Sequence, residues 1–322
     1  MSLAYPDLAA ERTRWILSRR GARAAVDPSR AVGAFVETER TETGETAPVA
    51  TIFLANRECP WRCLMCDLWT RTLEDPVAPG AIPAQIAGAL AALPPARRVK
   101  LYNAGSFFDP RAVPREDHAA IAEILRGYER VTVECHPALA GEDCFRFARL
   151  LRAPLEVAMG LETAHPEILE KLNKGMTADS FRRAADALAR EGIALRTFVL
   201  LALPFLPAED SLAWAARSLA LAFECGSTAA VLLPTRAGNG AMDALARRGE
   251  FVPPTLAMLE RALANGIESF RKRGRVFADL WDLERLRDCP ACFAERRRRL
   301  ERMNLAQCEP PPVRCADCGE TA

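Results

Sequence analysis

The chain lacks sequence features typical of proteins that span a membrane or bind a polyanion. No apolar run reaches the ~18 residues of a membrane span. Positive and negative charges nearly cancel, with 43 lysines and arginines against 42 aspartates and glutamates, so no overall field draws the protein to nucleic acid. The pair Arg19-Arg20 is not followed by an apolar stretch and does not resemble an export signal. We expect a soluble, cytoplasmic protein.

A regular disulfide framework is also missing. Of the 322 residues, 11 are cysteines, an odd number that stands mostly in tight clusters. Such clusters favour metal binding in a reducing compartment over disulfide bonds. The hydrophobic fraction of 50% excludes a disordered chain, and the length allows one large domain or a large domain with an appendage.

Three cysteines stand in one short loop, and this loop is the most informative feature of the chain. Cys59, Cys63 and Cys66 have the spacing Cys-x3-Cys-x2-Cys and follow the apolar run 49–54. Three thiolates this close can hold three corners of an iron–sulfur cube and leave one iron open to a small molecule. The alternative is a structural zinc site, which needs a fourth ligand nearby. None follows before Cys135, and no histidine precedes His118.

Strand-like and helix-like stretches alternate along the middle of the chain. Helical patterns separate the predicted strands, and the clearest helix runs to Arg190 with Thr177 as its expected N-cap. This alternation indicates a parallel sheet with right-handed crossovers. We expect a helical extension at 1–47, an α/β domain at 48–250 and a helical, cysteine-rich region at 251–322. Six apolar runs predict strands buried on both faces, at 49–55, 99–103, 131–136, 155–161, 195–203 and 229–233.

The cysteine loop resembles the cluster-binding loop of radical S-adenosylmethionine (radical SAM) enzymes. A second stretch, with Gly-Leu-Glu-Thr at 160–163 and Leu-Asn-Lys-Gly-Met-Thr at 172–177, resembles the branch that contains methylthiotransferases and oxygen-independent coproporphyrinogen oxidase. Gly-Ser-Phe-Phe-Asp-Pro at 105–110, together with the turn that begins at Gly160, more narrowly resembles the radical subunit of archaeosine synthase, a tRNA-modifying enzyme. The resemblance covers about residues 49–240, and its strength lies in the order of the motifs.

The resemblance implies a fold and a chemistry. The fold is a partial (β/α)6 barrel with active residues at the carboxyl ends of its strands. Cys59, Cys63 and Cys66 would hold a [4Fe-4S] cluster whose open iron binds S-adenosylmethionine. A flavodoxin- or ferredoxin-like donor would supply one electron. Reductive cleavage would then give methionine and a 5′-deoxyadenosyl radical that takes a hydrogen atom from the substrate.

The motif positions also imply which residues touch the cofactor and the substrate. The expected catalytic or substrate-binding residues are Glu134, Glu162 and Arg236. For Glu134 the alternative is a buried ion pair, and for Arg196 it is a structural salt bridge. The turn after the second strand departs from the family's usual Gly-Gly-Glu. This turn, the cysteine loop and the other strands together supply the expected cofactor-binding residues. They are Met65, Asn103, Ala104, Gly105, Ser106, Glu134, Glu162, Arg196 and Pro234.

The tail carries a second group of cysteines. Two Cys-x-x-Cys knuckles, Cys289 with Cys292 and Cys315 with Cys318, are separated by 22 residues and fit a tetrahedral zinc site. An auxiliary iron–sulfur cluster needs the same four thiolates, and Cys308 is a spare ligand for it. The run of arginines at 296–299 is a candidate for phosphate contacts, and the alternative is a solvated helix face.

Three functions are compatible with these motifs. The first is a radical SAM enzyme that modifies tRNA, as the archaeosine synthase resemblance and the basic knuckle region indicate. The second is a radical SAM enzyme for a small metabolite or peptide, with Arg236 or Arg196 holding a carboxylate. The third is a non-catalytic iron–sulfur or zinc protein that binds RNA or a partner. Only the third predicts no turnover of S-adenosylmethionine.

Overall fold

One large curled sheet dominates the computed structural model, which describes residues 4–320. The strands lie in chain order, β1 pairs antiparallel with β2, and all the following pairs are parallel. The rings of Tyr102 and Phe198 lie 6.2 Å apart, although two other strands lie between the strands that carry them. The sheet therefore curls into a partial barrel. The predicted α/β partial barrel is therefore confirmed. The strands are β1 (Gly33–Arg40), β2 (Thr46–Leu54), β3 (Arg98–Asn103), β4 (Arg130–Glu134), β5 (Leu155–Glu162), β6 (Ala194–Leu201), β7 (Ala229–Pro234) and β8 (Arg275–Ala278).

Helices cover the outside of the sheet. Thr177 caps α6 as predicted, because its hydroxyl accepts a hydrogen bond from the Ser180 N–H and the Ser180 hydroxyl accepts one in return. A short hairpin of β9 (Arg314–Cys315) and β10 (Gly319–Glu320) follows the last helix. The helices are α1 (Ala9–Leu17), α2 (Ala81–Ala92), α3 (His118–Ile124), α4 (Glu142–Leu150), α5 (Pro166–Lys171), α6 (Ala178–Arg190), α7 (Ser211–Glu224), α8 (Ala241–Arg247), α9 (Leu256–Phe270) and α10 (Phe293–Ala306).

Two strands of the sheet lie outside the predicted 48–250 region. The six predicted strands are all present, but β1 precedes them and β8 follows them. In β1 the acidic residues Glu37 and Glu39 interrupt the apolar pattern, and β8 has only four residues. Neither segment shows the long apolar run that predicted the other six. The N-terminal region therefore contains a strand as well as the expected helix.

The apolar core lies between the sheet and the helices. Ile52, Leu101 and Val133 are fully buried there against helix residues such as Phe181. Alternation along a strand sends the neighbouring residues to the opposite, inner face of the barrel. Burial of the core side chains stabilises the packing of the helices on the sheet, since apolar surface contributes about 25 cal/mol per Å² removed from water.

Charged side chains fill the end of the barrel at the amino ends of the parallel strands, which we call the barrel floor. Glu39 accepts hydrogen bonds from Lys100 and from Arg196, the latter at 2.6 Å. Arg196 also donates to Glu156 at 2.8 Å. Pairing offsets the cost of burying these charges. Within residues 4–320, no helix is long and apolar enough to cross a bilayer.

The barrel floor also joins the first strand to the end of the chain. Arg275 of β8 donates to the carbonyl oxygen of Arg40 at 2.9 Å. Arg40, the last residue of β1, donates in turn to the carbonyl oxygen of Leu305 on α10 at 3.0 Å. The edge strands β1 and β8 are therefore linked to each other and to α10.

Candidate active site and metal centre

The cysteine loop lies at the carboxyl ends of the parallel strands. It follows β2, whose last residue, Leu54, pairs with Asn103 at the end of β3. The turn at 172–175 fastens the loop, because the Leu64 N–H donates to the Leu172 carbonyl at 2.9 Å. The Asn173 amide donates to the Arg62 carbonyl, also at 2.9 Å. Two motifs that are more than 100 residues apart in sequence thus form one structural unit.

Further contacts fix the loop from two sides. The Trp61 ring stacks on the His136 ring, with centroids 3.6 Å apart and planes at 14°. Gly175 has a φ of +72°, and a Cβ there would stand 3.1 Å from the Trp61 ring. On the other side, the Asn239 amide donates to the carbonyls of Leu64 at 2.8 Å and Cys66 at 3.2 Å. The turn at 172–175, His136 and Asn239 therefore hold the loop from three separate segments of the chain.

The turn after β3 packs directly against the first cysteine. A Cβ on Gly105 would stand 2.6 Å from the Cβ of Cys59, and the residue has a φ of +149°. Only glycine fits such an approach. Asn103, next to this turn, is buried, and neither its side-chain oxygen nor its nitrogen has a partner among the described residues. A buried amide without partners indicates a place for a polar ligand.

The three thiols of the loop are partly buried. Burial raises the pKa of Cys59, Cys63 and Cys66, in the last case to about 12, and the negative charges of neighbouring thiolates raise the pKa of Cys63 and Cys66 further. A bound cation reverses this effect, because coordination deprotonates a thiol outright. Three mutually interacting thiols beside an unpartnered amide fit a [4Fe-4S] cluster with S-adenosylmethionine on its open iron.

Buried Glu162 and Lys174 and partly buried Glu134 lie beside the loop. Lys174 Nζ forms an ion pair with Glu162 and donates to the Gly160 carbonyl at 2.7 Å. Burial raises the pKa of Glu134 to about 8, although its carboxylate accepts a hydrogen bond from the Asn103 N–H at 2.8 Å. Lys174 was absent from the predicted site residues. Its signal in the sequence was its place in the Leu-Asn-Lys-Gly stretch.

Solved structures and curated proteins resemble this chain, although no family model matches it. SuiB of Streptococcus suis, bound to the precursor peptide SuiA, has a TM-score of 0.51 at 12% identity, over 74% of this chain and 49% of that chain. Coproporphyrinogen III oxidase (HemN) of Escherichia coli, described as a radical SAM enzyme, has a TM-score of 0.47 at 12% identity, over 74% of this chain and 58% of its own.

Among curated proteins, archaeosine synthase subunit beta of Methanosarcina acetivorans is 28% identical over 225 residues, which are 66% of this chain and 65% of that protein. The chain spans about half to two thirds of the length of the curated relatives it matches. The chain combines a partial barrel with a cysteine loop that resembles the cluster-binding loop of radical SAM enzymes. The resemblance to archaeosine synthase subunit beta stated from the sequence is therefore confirmed at the level of similarity to curated relatives of that name.

The partial barrel brings most of the predicted cofactor residues to one place. Asn103, Ala104, Gly105 and Ser106 form the turn beside Cys59, and Glu134 and Glu162 end neighbouring strands. Met65 lies inside the cysteine loop and packs against apolar residues of α1, α5 and α8. Pro234 ends β7 and pairs with Leu201. Their contacts with the cofactor remain predictions.

The two arginines predicted for the site both form ion pairs. Arg196 is buried in the barrel floor between Glu39 and Glu156, so the alternative of a structural salt bridge is the one observed. Arg236 donates to Asp279 at 2.7 Å and to the Trp281 carbonyl. Both guanidinium groups already have carboxylate partners.

The four tail cysteines come together, although 22 residues separate the two knuckles. Their sulfur atoms all lie within 4.8 Å of one another. The Cys289 and Cys315 sulfurs are 3.9 Å apart, and those of Cys292 and Cys318 are 3.7 Å apart. Backbone N–H groups of Cys292 and Ala291 lower the pKa of Cys289 to about 7, which favours a thiolate at this site. Cys308 is exposed and lies outside the group.

The arginine run at 296–299 is partly internal. Arg296 is buried, with 2.7 Å to Glu260 and 3.0 Å to Asp288. Arg299 is also buried and donates to Glu309 at 2.8 Å and to the Pro310 carbonyl. Both interpretations of the whole run, phosphate contacts and a solvated face, are therefore wrong for these two residues. They connect α10 with α9 and with the segment between the knuckles.

Proposed function

We propose that this chain binds a [4Fe-4S] cluster through Cys59, Cys63 and Cys66 and uses it to cleave S-adenosylmethionine reductively. The observation that carries the proposal is that one loop places three partly buried thiols beside the unpartnered Asn103 amide at the carboxyl ends of parallel strands. When bound, the cluster would supply the electron that cleaves the cofactor to methionine and a 5′-deoxyadenosyl radical able to take a hydrogen atom.

The residues around the loop are suited to hold the cofactor. The Asn103 amide offers both a donor and an acceptor to the polar groups of a methionine moiety. Lys174 keeps its positive charge despite burial, because Glu162 and Cys63 raise its pKa, and its ammonium group holds the Glu162 carboxylate in place at the end of β5. Glu134, with a pKa raised to about 8, carries a proton at neutral pH and can donate it in a hydrogen bond.

For the substrate we favour a tRNA base. The support is the resemblance of the Gly105 and Gly160 turns to archaeosine synthase, together with the curated relative that bears this name. A small metabolite or peptide is the second candidate, but its expected anchors, Arg196 and Arg236, already pair with carboxylates. The electron donor would be a flavodoxin- or ferredoxin-like protein, and a reducing cytoplasm suits the free thiols.

The test is anaerobic release of 5′-deoxyadenosine by the reconstituted, reduced protein, with and without bulk tRNA. Release of 5′-deoxyadenosine that tRNA stimulates supports the whole proposal. Release that tRNA does not change supports a radical SAM enzyme but contradicts tRNA as its substrate. No release from a fully iron-loaded protein contradicts the proposal and favours a non-catalytic role. Cys63→Ser is expected to abolish release, whereas Cys308→Ser, the matched control, is expected to leave it unchanged.

The tail cysteines are best explained by one zinc ion. Four thiolates at about 2.3 Å from a tetrahedral zinc lie about 3.8 Å from one another, close to the sulfur separations of the two knuckles. An iron–sulfur cluster spreads its cysteines further apart, because each binds a different iron. We therefore assign to this site a structural zinc in preference to an auxiliary cluster.

A further inference from the structure

A cavity of about 430 Å³ opens beside the cysteine loop, on the side of Cys59. Its lining is strongly charged, and Cys59 itself forms part of the wall. The loop is covered elsewhere by the turn at 172–175 and by Asn239. The cavity therefore gives an approach from solvent to a thiol of the candidate cluster. Its charged lining residues are Arg23, Arg57, Glu58, Arg62, Glu74 and Arg111.

Positive charge is in excess around this cavity. Glu58, which is only 8% exposed, lies 2.7 Å from Arg20, 2.5 Å from Arg23 and 3.3 Å from Arg62. One carboxylate thus faces three guanidinium groups. Because the whole chain has a net charge of only +1, this excess is local to the face that carries Cys59.

Two further arginines reach the rim of the cavity. Arg111 pairs with Asp109 at 3.0 Å and is half exposed. Arg57 donates to the backbone carbonyl of Glu74 at 3.0 Å, and no carboxylate pairs with it among the described ion pairs. Charges at a rim act mainly by steering an oppositely charged partner into register.

We propose that this face docks an acidic one-electron carrier that reduces the cluster. The inference rests on the proposed function, which consumes one electron for each cofactor cleaved. In the docked pair the carrier, a flavin or small iron–sulfur protein, loses one electron and the cluster gains it, with no atom or proton transferred. Cys59 in the cavity wall provides the short path.

Mixed charge favours a protein over an RNA as the occupant. The carboxylate of Glu74 is 82% exposed at the same cavity, and it would repel a continuous line of phosphates. A folded acidic protein offers separate carboxylates and basic residues that can match both signs. Binding of tRNA to this face is therefore the competing outcome of the test.

The test uses the double variant Arg57→Glu with Arg111→Glu in the reconstituted full chain. The probe is a purified flavodoxin, whose affinity is measured by fluorescence anisotropy at low and high salt. Release of 5′-deoxyadenosine is measured with the flavodoxin system and, separately, with dithionite. Arg182→Glu, on the exposed face of α6, is the matched control. The double variant Arg57→Gln with Arg111→Gln removes the two positive charges without adding negative ones. It therefore distinguishes a loss of docking from misfolding of the glutamate variant.

The expected result is a loss of flavodoxin affinity on the order of ten-fold, a weaker salt dependence and an equally reduced flavodoxin-driven rate, with dithionite-driven release unchanged. The glutamine pair should show a smaller effect in the same direction. Unchanged flavodoxin affinity overturns the proposal, and so does a selective loss of bulk tRNA binding. If the wild-type protein releases no 5′-deoxyadenosine with dithionite, only the proposed function is contradicted. The docking face is still tested, because anisotropy measures flavodoxin affinity without any turnover.

Discussion

Glu134 and Lys174 lie in the same buried site, but they hold their protons for different reasons. Burial, with a smaller contribution from the negative charge of Glu162, raises the pKa of Glu134 to about 8. For Lys174 burial acts in the opposite direction, and the negative charges of Glu162 and Cys63 raise its pKa overall. At neutral pH the site therefore contains one neutral carboxyl and one ammonium group, both suited to donate hydrogen bonds to an anionic or polar ligand.

The raised pKa of Glu134 gives a pH-dependent stability. The folded protein binds this proton more tightly than the unfolded chain, so the free energy of unfolding falls as the pH rises from about 4.5 to about 8. We expect Glu134→Gln to unfold like the wild type at pH 5 and to be more stable at pH 8, by on the order of 1–3 kcal/mol. Urea denaturation of the metal-free proteins at several pH values measures this. A constant difference across that range would contradict the assignment.

Gly105 permits a second test at the scale of one residue. Gly105→Ala places a methyl group against the Cβ of Cys59, and we expect it to displace that cysteine and abolish iron loading. Gly127→Ala is the matched control, because Gly127 has a φ of +99° and open space around it. The control should lose about 1 kcal/mol of stability and load iron fully. Iron per chain after reconstitution is the measurement, and equal loading in both variants would refute the close-contact argument.

At the scale of elements, the cysteine loop depends on the turn at 172–175. The sequence placed each segment after its own strand and suggested that both belong to one family. It did not indicate that the Asn173 amide holds the Arg62 carbonyl, because that contact arises only when the sheet brings the ends of β2 and β5 together. Local patterns predict elements well, whereas contacts between loops depend on the whole sheet.

Asn173→Gly tests this dependence. Asn173 has a φ of +56°, so glycine keeps the backbone geometry and removes only the amide. We expect the loop to loosen, with a cost of about 1 kcal/mol and faster loss of the cluster in air. The control is Gln307→Gly, since Gln307 has a φ of +52° and an amide bonded to the Val276 backbone. Decay of cluster absorbance should accelerate only in the first variant.

The knuckles define a second element-scale prediction. A variant with Cys59, Cys63 and Cys66 all changed to serine is expected to hold no iron and still retain one zinc per chain, as measured by elemental analysis. Adding Cys315→Ser should remove that zinc, whereas adding Cys308→Ser should not, because Cys308 lies outside the group. Iron and labile sulfide in the triple variant would support an auxiliary cluster.

At the scale of the whole molecule, the sequence predicted the parallel strands and missed the edges of the sheet. The six central strands bury both faces and show as apolar runs. Strand β1 faces the barrel interior with Glu37 and Glu39, whose partners Lys100 and Arg196 come much later in the chain. Charged residues in a segment usually indicate exposure, so only the folded barrel shows that these are internal.

Glu39 is the natural residue for testing the barrel floor. Although burial alone would raise its pKa, Arg196 and Lys100 hold it well below the usual range. Glu39→Gln leaves both cations short of a partner, and we expect it to destabilise the protein by about 3–5 kcal/mol. Glu45→Gln, in the exposed loop after β1, should change stability by less than about 0.5 kcal/mol. Chemical denaturation compares the two, and similar values would show that the network contributes little.

The link between Arg40, Arg275 and Leu305 has a consequence for synthesis of the protein. The first strand can pair with β2 as soon as both leave the ribosome, but its far edge meets β8 and α10 only when residues 275–305 have been made. Until then the charged floor stands open on one side. Nascent chains that stop before α10 should therefore be more sensitive to proteases than the finished protein, even with β1 to β7 complete.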